Sequence, residues 1–552
     1  MSVGSRLWVA VCAAGLGLAP LSVVQAATDQ QSVEELRNTV VNLLRALVDQ
    51  GVITREKAEA MVKQAEEKAA ADAQAVARQA AASDKLEPGE IRVPYVPQIV
   101  KDEISKQVAK DVQPTVVASV LEKAKAERWG VPGSLPEWLD RVKVAGEVTL
   151  RAQADLYPKD NVPNEILDFN AINQAGGFGK VAPPNAFLNV TQNRDRMRLR
   201  ARLGVEAQLT PTLSAGVRLA SGSLTDPSSE SQTLGTSSDR YTVGIDQAYL
   251  RKDSQPAGQF SHFSIVGGRF ASPWFAPTEL VFSRDLQFEG IAATERFGLH
   301  GQGADRSQVF LTLGAFPVLE VPLVNKQSKW LLAAQLGTSL RWGSDERQRL
   351  RLAAAYYDFL HVTGVRNTPD STLLNYTAPA FIRYGNSVFD ISNSTTDPTI
   401  NLFGLASHFR IADVAANYEV GFARYSAALT AEAVRNLGYQ KASIDALSAP
   451  LVFPSGNNGY VAEFSFGDPS VNRARLWRAR IGYRYVKSDA VLDAWTDTDF
   501  HGGGTNAAGY YLWTDIGLAH DTWLRLRYLS ANEIDGPRYG FDMFQFDLNA
   551  RF

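Results

Sequence analysis

Arg194–Thr210, RDRMRLRARLGVEAQLT, puts Met197, Leu199, Ala201, Leu203, Val205, Ala207 and Leu209 on one side of an extended chain. The arginines Arg194, Arg196, Arg198, Arg200 and Arg202 fall on the other side. The run is far longer than the ~5–6 residues common in globular sheets. If it crosses a bilayer, the face of the arginines is decided by energy. Each arginine towards lipid costs ~2–4 kcal/mol near the midplane, so the row must face a lumen.

The same pattern continues outward from this stretch. Before it, VKVAGEVTLRAQADLY from Val142 sets Val142, Val144, Val148, Leu150 and Leu156 against Lys143, Glu147, Arg151 and Asp155. After it, alternation recurs at 212–221, 241–251, 261–270, 286–295, 307–315, 330–342, 348–359, 402–412, 418–433, 459–467, 475–487, 509–520, 522–530 and 541–552. A bulge is expected at Asp246-Gln247-Ala248. The total is about 16 strands, roughly 14 to 18 given boundary error. Connections alternate between tight (Thr210-Pro211-Thr212, His520-Asp521-Thr522) and long (158–193, 222–239, 361–400, 434–457). That asymmetry is what a transmembrane β-barrel shows, and closing an even number of antiparallel strands leaves no edge facing lipid. The reading is an all-β transmembrane antiparallel barrel over 142–552, preceded by α-helical segments. Trp330, Trp342, Tyr356, Trp477, Tyr483, Tyr485, Tyr511, Trp513 and Trp523 are expected at strand ends or on the apolar faces, as interfacial girdles.

The first 141 residues read differently. Residues 1–26 form a secretory signal: Arg6, an apolar core from Leu7 to Val24, and the small-residue site Val24-Gln25-Ala26. In residues 27–83, Val33, Leu36, Val40, Leu43, Leu44 and Leu47 make one helical stripe, which Gly51 ends before Thr54 caps a second helix. These helices are expected to pair as a coiled coil. Residues 84–141 hold the prolines Pro88, Pro94 and Pro97 and then a second helical segment, Asp102–Arg128.

Composition narrows the function. A net charge of −3 gives no basic excess for nucleic acid. A mean hydropathy of −0.16 fits a soluble protein and equally a barrel whose strands alternate. The one cysteine, Cys12, lies in the signal, so a mature chain has no disulfide or thiolate site. The six histidines show no i, i+3 or i, i+4 pair, so no metal is expected, and no cofactor motif is complete. His501-Gly502-Gly503-Gly504 matches an oxyanion-loop motif but has no G-x-S-x-G beside it, and catalysis is set aside.

On these features the chain resembles bacterial outer-membrane porins. Within them it is similar to the group with a helical region ahead of the barrel, through NLLRALVDQGVITREKAEAMV, IRVPYVPQIV, ERWGVPGSLPEWL, DQAYLR and the terminal FDLNARF. The resemblance implies a Gram-negative outer membrane with lipid around the barrel, passive diffusion of small hydrophilic solutes or ions, no cofactor, and a homotrimer. It implies that Phe552 is the signal read by the barrel-assembly machinery. It also implies that GGRFASPWFAPTELVFSRDLQFEG, after the fifth strand, folds inward as a constriction. There Glu279, Asp285 and Glu289 would oppose the pore-lining ladder Arg196, Arg198, Arg200 and Arg202. The chain departs from trimeric porins in its long segment before the first strand, expected in the periplasm. Two other readings stand: a plugged barrel that tethers the outer membrane to the cell wall or a periplasmic partner, and a hydrolase with a rim site at His501 or His520.

Overall fold

The computed structural model describes Lys63 and residues 141–552, apart from 184, 255–260, 301–306, 324–325, 344–346 and 450–453. The chain divides into two units, Met1–Pro136 and Glu137–Phe552. The expected signal peptide, the helical region (Lys63 apart) and all but the last residue of the linker lie outside the described residues.

Among the described residues the strands run, in chain order, β1 (Val142–Leu156), β2 (Arg194–Thr210), β3 (Leu213–Ser221), β4 (Gln232–Thr233), β5 (Val243–Asp253), β6 (Ser261–Ala271), β7 (Gln287–His300), β8 (Ser307–Leu319), β9 (Lys329–Trp342) and β10 (Gln348–Leu360). They continue as β11 (Val388–Asp390), β12 (Phe403–Leu405), β13 (Phe409–Phe422), β14 (Tyr425–Asn436), β15 (Asn458–Gly467), β16 (Trp477–Val486), β17 (Ala507–Ala519), β18 (Thr522–Glu533) and β19 (Gly540–Arg551). All but the short β4, β11 and β12 form a closed 16-strand antiparallel barrel. Two short helices, α1 (Phe169–Ala175) and α2 (Lys441–Ser448), sit in its connections.

The barrel closes where β1 pairs with both β2 and β19, with Leu150 opposite Leu199 and Leu548. The terminal rung is formed by Phe552, whose N–H donates to the Gly146 carbonyl (3.0 Å) and whose carbonyl accepts from Gly146 (2.8 Å). The Phe552 ring lies over Gly146, where any Cβ would come within 2.2 Å of it. Only glycine leaves room for that ring.

Alternation decides the two faces. Met197, Leu203, Val205, Leu429, Leu512, Phe544 and Phe546 are exposed on the outside, whereas Gln153, Gln545, Asp547 and Asn549 are buried inside. Trp330, Trp342, Tyr356 and Tyr483 are likewise exposed outward. Tyr511 and Trp513 correct the girdle expectation: both are buried on the lumenal face, where Tyr511 donates to Glu463 (3.0 Å) and Trp513 packs among guanidinium groups. Period two tells which residues share a face, and the charged row of β17 is too short to say which face is wet. Trp523 also lies on the lumenal row, opposite Asn549 and under Arg551.

The bulge at Asp246-Gln247 is present as a register shift against Arg218 and Leu219, with both polar residues buried. One boundary pair moved. The expected strands 402–412 and 418–433 are instead β13 and β14, joined by a tight turn at Ala423-Arg424 with Ala423 at φ 54°. Alternation runs unbroken through Asp413, Ala415 and Asn417, all facing inward, so nothing ends the strand there. Tight turns (211–212, 423–424, 520–521) gather at the end where β1 begins and β19 ends, and the long connections lie at the other.

Candidate constriction in the barrel lumen

One lumenal wall is apolar and the other is basic. Phe288, Phe316, Leu331, Tyr357, Phe359, Phe409 and Ile411 form a buried inner cluster on β7 to β13. Residues 272–286, which join the fifth and sixth barrel strands, lie against this wall because their own side chains are apolar. Trp274 meets Tyr357 at 5.6 Å between ring centroids, and Phe282 meets Tyr357 at 5.0 Å and Phe288 at 5.1 Å. Hydrogen bonds fix the segment: Phe275 N–H to Gln335 Oε1 (2.7 Å), Gln335 Nε2 to the Phe275 carbonyl (3.0 Å), and Thr278 Oγ1 to Glu432 Oε2 (2.5 Å). Burying that much aromatic surface holds the loop down in the lumen rather than out in water.

The acids of the loop turn towards the other wall. Asp285 accepts from Arg202 Nη2 (2.6 Å) and Arg200 Nη1 (3.3 Å), so two rungs of the ladder meet the loop at one carboxylate. Arg200 also reaches Glu147 (2.5 Å), Arg202 pairs with Glu230, and Arg196 pairs with Asp155. Arg198 makes no ion pair: its Nη2 donates to Ser229 Oγ (3.3 Å) and to the Ser231 carbonyl (3.2 Å). Glu279 accepts the Arg284 backbone N–H (3.0 Å), and burial, with Asp497 beside it, pushes its carboxyl up. Glu289 lies in β7 itself, paired with Arg269 in register on β6, and makes no ion pair with the ladder.

A second lumenal segment, 487–506 between β16 and β17, escaped the reading of the sequence. Ala490, Val491, Ala494 and Phe500 are buried, and Trp495 packs on Phe359 (5.4 Å) and Phe288 (6.0 Å). Its backbone joins the first segment through Ser283 N–H to the Trp495 carbonyl (2.8 Å). Asp497 and Asp499, both in this segment, are the centre of the site. Asp499 holds Arg527 (2.7 Å) and Arg151 (3.2 Å), while Arg151 forks onto Asp547 through Nε (2.7 Å) and Nη2 (2.9 Å). Burial would raise the Asp499 carboxyl, but Arg151, Arg527 and Arg198 outweigh it and hold it well below the usual carboxylate range. Asp497 pairs with Arg484 (3.1 Å). The available signal was composition: a long loop with four acids among apolar residues and three consecutive glycines.

Those glycines serve packing. Gly503 and Gly504 both have φ 97°, and a Cβ on Gly504 would sit 1.9 Å from the Tyr384 carbonyl oxygen. His501 is buried, its Nε2 donates to the Tyr539 carbonyl (3.0 Å), and burial pushes its imidazole down to about 4. A neutral histidine committed to a backbone carbonyl is a structural pin.

Two spaces in the lumen share part of their lining. A vestibule of about 390 Å³ is lined by Gln153, Asp155, Arg194, Arg196, Arg383 and Tyr384, among others. A neck of about 90 Å³ is lined by the arginines 151, 198, 200, 284, 525 and 527 and the acids Glu279, Asp285, Asp497, Asp499 and Asp547. Arg198, Ser229, Thr498 and Asp499 border both spaces.

Among solved structures the chain is similar to the outer membrane channel DcaP of Acinetobacter baumannii (10% identity, 75% of this chain and 98% of that one, TM-score 0.37). It is also similar to OprB of Pseudomonas putida (11%, 77% and 97%, TM-score 0.43) and OmpT of Vibrio cholerae (10%, 76% and 100%, TM-score 0.38). No curated protein matches it. A family model described as "Putative porin" matches residues 37–552, nearly the whole chain. The barrel with two segments folded into its lumen is therefore that of an outer-membrane channel protein, and the chain belongs to this porin family.

Proposed function

We propose that the protein is a passive channel through which small hydrophilic solutes cross the outer membrane down their gradient. The observation that carries this reading is the vestibule that meets the neck at Arg198 and Asp499, lined by charged side chains from strands and from both lumenal segments. Such a path offers solutes replacement hydrogen bonds without any coupling to energy. Its test is a planar bilayer: the purified full-length protein should give stepwise, ohmic current. A folded, inserted barrel that carries no current would favour the tether reading instead.

The N-terminal segment then belongs in the periplasm, a placement supported by β1 starting at the end that gathers the tight turns. Phe552 serves assembly in the same reading. Its backbone closes the seam with Gly146 and its ring stays 73% exposed on the outer face, where another protein can grip it before closure. Deleting Phe552 should lower the yield of folded barrel, scored as the heat-modifiable band on gels, several-fold on the order of tenfold, since the closing rung is lost as well. Wild-type yield from that variant would contradict the role.

A further inference from the structure

The pairing of charges around the neck singles out two of its arginines, and with them a class of solute. This inference rests on the channel reading above. Asp547 is taken by Arg151, Asp499 by Arg151 and Arg527, Asp285 by Arg200 and Arg202, and Asp497 by Arg484. Arg525 is held by Asp515 (2.5 and 2.9 Å). Among the described residues, the neck arginines without an ion pair are Arg198 and Arg284. Arg151, Arg196, Arg200, Arg202, Arg525 and Arg527 are thus paired with protein carboxylates, and Arg198 and Arg284 carry the guanidinium charges of the ladder and neck that remain open to a solute.

Both are placed to meet a solute. Arg198 stands at the junction of vestibule and neck, with Nη1 making no hydrogen bond and Nη2 only the two long ones to Ser229 and Ser231. Arg284 is exposed to the lumen and lies 5.9 Å over the Trp513 ring. Arg480, Arg525 and Arg527 surround the same ring at 4.5, 5.6 and 5.2 Å. The indole of Trp513 is therefore a buried base for the guanidinium groups that line this part of the neck.

We infer that the neck is a filter for small organic carboxylates, which Arg198 receives at the vestibule end and Arg284 passes on through the neck beside Trp513. The fork geometry that Arg151 offers to Asp547 is the geometry that an unpaired guanidinium offers to a carboxylate in solution. Two stations, each with a single free guanidinium, bind weakly enough for release, as conduction requires. Neutral sugars find no equivalent preference along this wall.

The test is electrical, on the full-length protein in planar bilayers. The reversal potential in a potassium chloride gradient should show anion preference, and millimolar acetate should reduce the chloride current. In the double variant Arg198→Gln/Arg284→Gln the anion-to-cation permeability ratio should fall by at least about threefold, and the effect of acetate should disappear. In the double variant Asp499 keeps Arg151 and Arg527, and Glu279 keeps the residue-284 backbone N–H, so the variant is expected to fold. Arg198→Lys adds an independent reading: it keeps the charge but not the fork, so anion preference should persist while the acetate effect weakens. Cation preference, an unchanged ratio in the double variant, or chloride current insensitive to acetate would overturn the filter while leaving the channel intact. Phosphate competing as strongly as acetate would overturn the carboxylate assignment. Absence of any current would overturn the channel and the filter together.

Discussion

Replacing Asp499 with asparagine is expected to destabilise the barrel by about 3–5 kcal/mol, the usual cost of removing one partner from a buried ion pair. Asp499 is 8% exposed and bridges Arg151 on β1 to Arg527 on β18. Arg151 keeps Asp547 after the substitution, but Arg527, whose side chain is 9% exposed, keeps only Gln545 Oε1 at 3.0 Å. A buried guanidinium would be left with an amide. Because the surrounding arginines hold the Asp499 carboxyl far below its usual range, asparagine removes a full charge at every working pH. The midpoint of urea unfolding from lipid vesicles should fall accordingly. Double replacement of Asp499 and Arg527 should recover part of the loss, whereas an unchanged midpoint in the single variant would show that the cluster is not a unit.

Valine in place of Gly504 should act on current rather than on the barrel wall. Its Cβ would have to occupy a point 1.9 Å from the Tyr384 carbonyl oxygen, at φ 97°, where a branched side chain is strained by about 1–3 kcal/mol even in open space. Relief requires segment 487–506 to leave its seat. Asp497, Asp499 and Trp495 then leave the lumen with it, and single-channel conductance should rise, about twofold or more, with a loss of discrimination between ions. The strand registers do not involve this segment, so the folded band on gels should remain at room temperature, while the midpoint of urea unfolding should fall with the loss of the Asp497 and Asp499 pairs. Wild-type conductance in a folded Gly504→Val protein would mean that the neck is set by residues 272–286 alone.

Most of the barrel was legible because its signal is periodic and redundant. Any one strand could be a surface strand of a soluble protein, but arginine rows such as that of β2, repeated alternation and unequal connections admit few other solvents. Within 272–286 the acids Glu279 and Asp285 look alike in the sequence, and only their contacts tell them apart: Asp285 meets Arg200 and Arg202, Glu279 the Arg284 backbone. What could not be read depends on contacts between distant segments. Asp497 and Asp499 stand between Trp495 and Phe500 in sequence order, yet their meaning comes from Arg484, Arg151 and Arg527 on three other strands. Likewise Arg196, Arg198, Arg200 and Arg202 look equivalent along β2, and only their partners separate the neutralised rungs from the free one. Trp513 resembled a lipid-interface aromatic because tryptophan suits both a membrane boundary and a stack of guanidinium groups.

The seam between β1 and β19 has a kinetic consequence. Glu147 and Arg551 are joined across it although they are 404 residues apart in the chain. Until the last strand is available, β1 and whichever strand was made most recently both present unpaired edges to any other extended chain. Contacts of such long range form slowly, and an open sheet waiting for them is prone to aggregate. The open sheet is therefore at risk until β19 pairs with β1, and only that pairing leaves the barrel without an edge.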